Sequence, residues 1–187
     1  ASGDTLTWNT DGEDIYYQGT TDQNLPVSVK LTYYLDGKEI KPADLKGKSG
    51  HLKIQVDYTN KEKKTVSVDG KQEEVYTPFV MMTGMILPNE TFSNVTIDNG
   101  KVISDGSKNI VVGFGMPGMK ESLNLDESKT EDLTIPESLC VEADVTDFTM
   151  SSTFTVALTD LLDDIDFDNI VDVDSLKSSL DLSLIHI

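Results

Sequence analysis

"GHLKIQVDYTN", residues 50–60, decides the fold. Leu52, Ile54, Val56 and Tyr58 alternate with Lys53, Gln55, Asp57 and Thr59, the mark of a strand with one face on a core and one in water. Working outward, "LPVSVKLTYYL" (25–35) keeps the same period, with Val27, Val29, Leu31, Tyr33 and Leu35 facing one way. "LCVEADV" (139–145) repeats it with Leu139, Val141, Ala143 and Val145, and "DFTMSSTFTVAL" (147–158) with Phe148, Met150, Phe154, Val156 and Leu158. "TPFVMMTGMILP" is apolar almost without break from Phe79 to Leu87. It predicts a strand buried on both faces, or one whose outer face another segment covers. Its methionines, Met81, Met82 and Met85, are expected in the core, the alternative being an adaptable binding surface.

Between the strands stand Asp36-Gly37, Asp69-Gly70, Asn99-Gly100 and Asp105-Gly106, pairs that supply the positive φ angles of tight turns. "KPADL" predicts a brief helical turn with Pro42 at its first position. "SLNLDESKTEDLTIPES" is polar and predicts a loop crossing between sheets. From Thr159 the period changes: Leu162, Ile165, Asn169, Val173, Leu176 and Leu180 follow spacings of 3 and 4, a helical seam. The remaining positions are rich in aspartate, a poor helix former, so this helix needs a partner or its own continuation. The expected fold is therefore mainly β: an antiparallel β-sandwich over residues 1–158, followed by an acidic C-terminal helix over 159–182. "SLIHI", residues 183–187, resembles translated read-through of a sequencing adapter, and the native protein is expected to continue differently after about Leu182.

Composition narrows the function. The chain has 187 residues, a formal net charge of −18, and 15 basic side chains, all lysine. Without arginine or a clustered basic face, nucleic acid and anionic membrane surfaces are poor partners. No apolar stretch is long enough to cross a bilayer and no signal region opens the sequence, as in a cytosolic protein or a piece of a longer one. The single cysteine, Cys140, has no partner for an internal disulfide.

Several motifs invite a chemistry. Gly113-Phe-Gly115-Met-Pro-Gly118 matches the G-x-G-x-x-G dinucleotide fingerprint by letter, but that site needs a helix opening at the third glycine and a further parallel strand. "MKESLNLDESKTEDL" has no apolar stripe for such a helix, and Pro117 removes a backbone N–H donor. The glycines are expected instead to bend a strand end out of its sheet. Gly47-Lys48-Ser49 has the core of a phosphate loop, yet Pro42 stands where the pattern needs glycine and a strand follows. Asp164, Asp166 and Asp168 occupy positions 1, 3 and 5 of a calcium loop, but Asn169 and Ser175 fill the positions that require glycine and glutamate. Cys140 would need a histidine, and only His51 and His186 exist; it is expected to be a half-exposed strand residue. The 33 acids single out no carboxylate pair for glycoside chemistry. Trp8, Tyr16 and Tyr17 offer either an aromatic ligand platform or edge strands. No catalytic, cofactor-binding or metal-ligating residue is assigned, and no cofactor is expected.

Beyond these patterns, "LTWNTDGEDIYYQGTTDQNLPVSVKLTYYLDGKEIKPADLKGKSGHLKIQVDYTN", "VYTPFVMMTGMILP", "NGKVISDG", "VVGFGMPG" and "IPESLCVEADV" together resemble an N-terminal β region of large surface proteins of gut Firmicutes, in which long Leu-x-x-Gly heptad repeats follow, as in YhgE/Pip (phage infection protein)-like membrane proteins. The resemblance covers about residues 6–160. It implies an extracytoplasmic, membrane-anchored cell-surface location and brings no catalytic residue; "DGKEI", "GKSG" and "GFGMPG" look like recurring turns of that region. No glycine follows Gly118, so the heptads and the membrane tether are expected downstream. The resulting expectation is a non-enzymatic head or spacer domain with an unknown protein or cell-wall partner and helix-mediated self-association. The alternatives are a glycan- or peptide-binding module around Trp8 and an acid–base enzyme.

Overall fold

The computed structural model describes residues 24–68, 70–123, 135–149 and 152–159. The chain is mainly β, and every strand pairing is antiparallel. The elements are β1 (Val27–Leu35), β2 (Lys38–Ile40), α1 (Pro42–Leu45), β3 (Gly50–Asn60), β4 (Lys63–Val68), β5 (Lys71–Tyr76), β6 (Val80–Pro88), β7 (Phe92–Ile97), β8 (Gly100–Ser104), β9 (Lys108–Gly115), α2 (Met119–Ser122), β10 (Ser138–Val145) and β11 (Thr153–Leu158). They form a five-stranded sheet in the order β2-β1-β3-β10-β7, a four-stranded sheet in the order β11-β6-β9-β8, and the separate β4-β5 hairpin.

The alternation of β3 and β10 explains the core. Leu52, Ile54, Val56 and Tyr58 are buried, as are Leu139, Val141, Ala143 and Val145. They share one hydrophobic cluster with Met81, Met85 and Leu87 of β6 and Val111 of β9, so both larger sheets contribute to a single core. Each fully buried side chain of this size is worth about 1.5–3 kcal/mol. Leu45 of α1 is fully buried, and Pro42 stands at the helix start as its fixed φ favours. Next to α1, Phe92 and Phe148 meet edge to face at 5.8 Å.

One polar chain crosses this core. The Tyr58 hydroxyl lies 2.6 Å from Thr83 Oγ1, which lies 2.7 Å from Thr155 Oγ1. It joins β3 of one sheet to β6 and β11 of the other. Asn60 is a second buried polar anchor: its Nδ2 donates to the carbonyls of Thr77 and Pro117, and its Oδ1 accepts from Glu62 N–H. That amide ties the end of β3 to both flanks of the β4-β5 hairpin and to the turn after β9.

The turn residues divide. Asp36 and Gly37 both have positive φ, 50° and 77°, and close the β1-β2 hairpin. Gly70 and Gly106, at 78° and 86°, serve the β4-β5 and β8-β9 hairpins. In the latter, Asp105 Oδ1 accepts from Ser107 N–H, Ser107 Oγ and Lys108 N–H, which holds its carboxyl down to about 2. Asn99-Gly100 corrects the expectation of a tight turn. Gly100 is outside the positive-φ set, and the chain there passes from β7 in one sheet to β8 in the other. Glycine is required by proximity instead, since a Cβ at Gly100 would collide with the Val112 carbonyl oxygen.

"DFTMSSTFTVAL" is the second correction. β11 begins only at Thr153, and Phe148 lies buried outside it. Phe154 and Val156 are 52% and 39% exposed, because it is Thr155 that turns inward to reach Thr83. Val29 of β1, expected in the core, is 37% exposed, although Val27 on the same face is buried. β6 follows expectation on its inward side, and Val80, Met81, Thr83, Gly84, Met85 and Leu87 are buried, but Ile86 on the outward face is 37% exposed. Met81 and Met85 point into the core cluster and Met82 lies half-buried on the opposite face.

Thr83→Val removes the middle of the crossing chain and leaves the buried Tyr58 hydroxyl without its partner, so it is expected to cost about 1–3 kcal/mol in urea unfolding. Tyr58→Phe leaves Thr83 bonded to Thr155 and should cost less, about 0.5–1.5 kcal/mol; the reverse ranking would show that the chain does not run through Thr83. Gly100→Ala is expected to destabilise by roughly 1–3 kcal/mol through a backbone shift. Gly106→Ala, with open space around it, should cost only the positive-φ penalty of about 1 kcal/mol.

Candidate functional site

The outward face of the five-stranded sheet collects the polar halves of β3 and β10. Register sets His51 opposite Asp144 and Lys53 opposite Glu142. His51 Nδ1 lies 3.0 Å from Asp144 Oδ1, and Nε2 lies 3.9 Å from a Glu142 oxygen. Asp144 Oδ2 accepts from Asn94 Nδ2 at 2.8 Å, and the backbone N–H of His51 donates to Asp36 Oδ1 at 2.9 Å. Asn94 reaches across from β7 with a positive φ of 51°, close to the register shift between Glu142 and Asp144. The imidazole is thus bracketed by carboxylates, and both of its N–H groups face an acceptor when it is protonated. The Asp144 hydrogen bond raises the His51 pKa from its ordinary 6.5. Asp144 is lowered, first by Asn94 and then by His51.

This cluster can hold a proton at the surface, but the groups for nucleophilic chemistry are not assembled around it. Cys140 shares the face, as its alternation predicts, and is half-buried. It pairs with Gln55, four residues along β10 from Asp144, or about 13 Å at the strand rise. The Cys–His pairing weighed from the sequence is therefore not made with His51. Burial raises the Cys140 thiol pKa, with Lys53 opposing, so the thiol stays protonated and a poor nucleophile at neutral pH. The carboxylates of Glu142 and Asp144 sit at opposite edges of the imidazole ring, which is no arrangement for sharing one metal ion.

The glycine fingerprint has a structural role. Gly113 and Gly115 lie inside β9 rather than at a bend. A Cβ at Gly113 would press on Ile97 and Leu139, and one at Gly115 on Tyr58, so both glycines let side chains of the five-stranded sheet seat against the β9 backbone. Gly118, with φ 81°, makes the turn itself, and its N–H donates to Glu137 Oε1 at 2.7 Å. A helix does open there, against expectation, but α2 is a single turn of four residues. Among the described residues every strand pairing is antiparallel, so none of these strands completes a dinucleotide site. Gly47-Lys48-Ser49 is likewise a turn packed on the chain after β10. Gly47 N–H donates to the Phe148 carbonyl, Phe148 N–H to the Lys48 carbonyl, and Asp147 N–H to Ser49 Oγ.

Trp8, Tyr16, Tyr17, Met150, His186 and the aspartates Asp164, Asp166 and Asp168 lie outside the described residues, as do all but Thr159 of the helix expected over 159–182 and the tail 183–187. Among the described residues no group of three or more His, Cys, Asp or Glu is placed to hold a metal ion, and no helix is long and apolar enough to cross a membrane. Compared with known proteins, the chain matches no family model, no curated protein and no solved structure. The His51–Asp144–Asn94 cluster is what sequence reading missed. Alternation placed His51, Glu142 and Asp144 on polar faces, but the register of β3 on β10 was needed to bring them together.

Because the folded-state pKa of His51 is raised, its contribution to stability is fully present below about 6.5 and is lost as pH rises through the folded value. Asp144, being lowered, contributes above its ordinary 3.8 and loses that contribution as pH falls through its folded value. An NMR titration should place the His51 midpoint above 6.5, and Asp144→Asn should bring it down. An unmoved midpoint in that variant would show that the pair does not form in solution.

Proposed function

We propose that this chain is the non-enzymatic, extracytoplasmic head or spacer domain of a membrane-anchored bacterial cell-surface protein. Its two larger sheets form a β-sandwich, and an acidic helix from about Thr159 begins the stalk that leads to the membrane. The observation that carries this reading is how the resemblance residues are used. "DGKEI" closes the β1-β2 hairpin, "GKSG" packs on the chain around Phe148, and "GFGMPG" seats Tyr58, Ile97 and Leu139 against β9. The segments that carry the resemblance thus work as scaffold, and, among the described residues, the groups that suggested catalysis are either engaged in turns or separated along a strand. A scaffold of this kind acts through its shape and the loops it presents, to a cell-wall or protein partner.

The test combines the native gene with the intact cell. A long sequencing read past Leu182 is expected to show Leu-x-x-Gly heptads and then membrane spans. A membrane-impermeant amine reagent should label the domain's lysines on unbroken cells. A stop codon soon after Leu182, an attached catalytic domain, or labelling only after lysis would overturn the proposal.

A further inference from the structure

The outward faces of the two larger sheets are chemically unlike. That of the five-stranded sheet is polar and charged, as antiparallel sheets facing water usually are. On the four-stranded sheet, register sets Phe154 and Val156 of β11 beside Gly84 and Met82 of β6, and these beside Val112 and Phe114 of β9. Ile86, Ile110 and Ile103 continue the row onto β8. The ring of Phe154 lies over Gly84, yet it is 52% exposed, and Ile103 is 50% exposed. The only charged side chains at outward positions of these strands are Lys101 and Lys108, both cationic and both towards the β8-β9 side. A continuous apolar face of this kind marks a covered surface.

We propose that residues 160–182 of the same chain cover it, folding back as a helix with the seam of Leu162, Ile165, Asn169, Val173, Leu176 and Leu180 against the sheet. This rests on the helix of the proposed function and adds where that helix lies. The segment begins next to Thr159, one residue beyond β11, the strand at the border of the face. Wound as a helix, Leu162 to Leu180 spans about 27 Å; β9 and β6, with eight and nine residues, run for about 26–30 Å. Length and position therefore match. Charge matches in part, since residues 160–182 carry eight acids and one lysine, while the charged side chains of the face are Lys101 and Lys108, the latter already paired with Asp105 of the adjoining turn at 3.5 Å. An aspartate-rich helix is weak alone, and tertiary packing of its apolar seam is what stabilises such a segment. The stalk would then leave from the sheet face rather than from the end of β11.

Methyl NMR on the full chain tests this. Intramolecular NOEs from the Ile86 and Ile103 methyls to those of Ile165 and Leu176 are expected, together with helical chemical shifts over 160–182. Ile165→Asp with Leu176→Asp should abolish these NOEs and raise ANS fluorescence several-fold as the face opens, with the β-sheet chemical shifts of the strands kept. Helical shifts without NOEs to the face would overturn the docking and leave the helix standing; neither helical shifts nor NOEs would overturn both. NOEs seen only between differently labelled chains would assign the face to a second copy and overturn the proposal as well.

Discussion

Every other part of the structure depends on β3 having two faces that cannot be exchanged. Its eleven residues send Leu52, Ile54, Val56 and Tyr58 into the core and His51, Lys53, Gln55 and Asp57 to the outside. A slip of one residue against β1 or β10 would bury charges and expose the core set. That penalty fixes the register on both sides, and the register in turn places His51 against Asp144 and points Tyr58 at Thr83. The polar cluster outside and the hydrogen-bonded chain inside are consequences of one alternation.

Most of the described fold was legible because its signals are local. The alternation of β3 and β10, the hairpin turns at Asp36-Gly37, Gly70 and Gly106, the proline start of α1 and the buried inward row of β6 all follow from short-range chemistry. The failures came where a distant partner decided the outcome. Phe154 and Val156 have the pattern of core residues, but the inward position of β11 belongs to Thr155, since Thr83 and Tyr58 offer its hydroxyl a buried partner. At Asn99-Gly100 the letters of a turn mark a change of sheet, and what demands glycine is a carbonyl on the neighbouring β9. The candidate cluster was half legible: the faces could be assigned, the partners could not.

The glycines of 113–118 show why a motif without its context misleads. The same absence of a Cβ that lets a phosphate approach a backbone lets Tyr58, Ile97 and Leu139 approach it. Only the neighbouring elements separate the two uses, and here they are antiparallel strands and a single helical turn.

The order of strands in the five-stranded sheet also sets a timetable. β10 lies between β3 and β7, both of which leave the ribosome long before it. Until residue 145 has emerged, neither strand can gain its neighbour, and the apolar row from Leu139 to Val145 is missing from the core. The hairpins β1-β2, β4-β5 and β8-β9 need only local contacts and can close early. A nascent chain therefore carries open edges on β3 and β7, and on β6 until β11 follows, through much of its synthesis, a state prone to pairing with other chains. Such a protein gains from rapid completion or from a chaperone that shields those edges, and a pause in translation just before Ser138 would be the most hazardous place to stop.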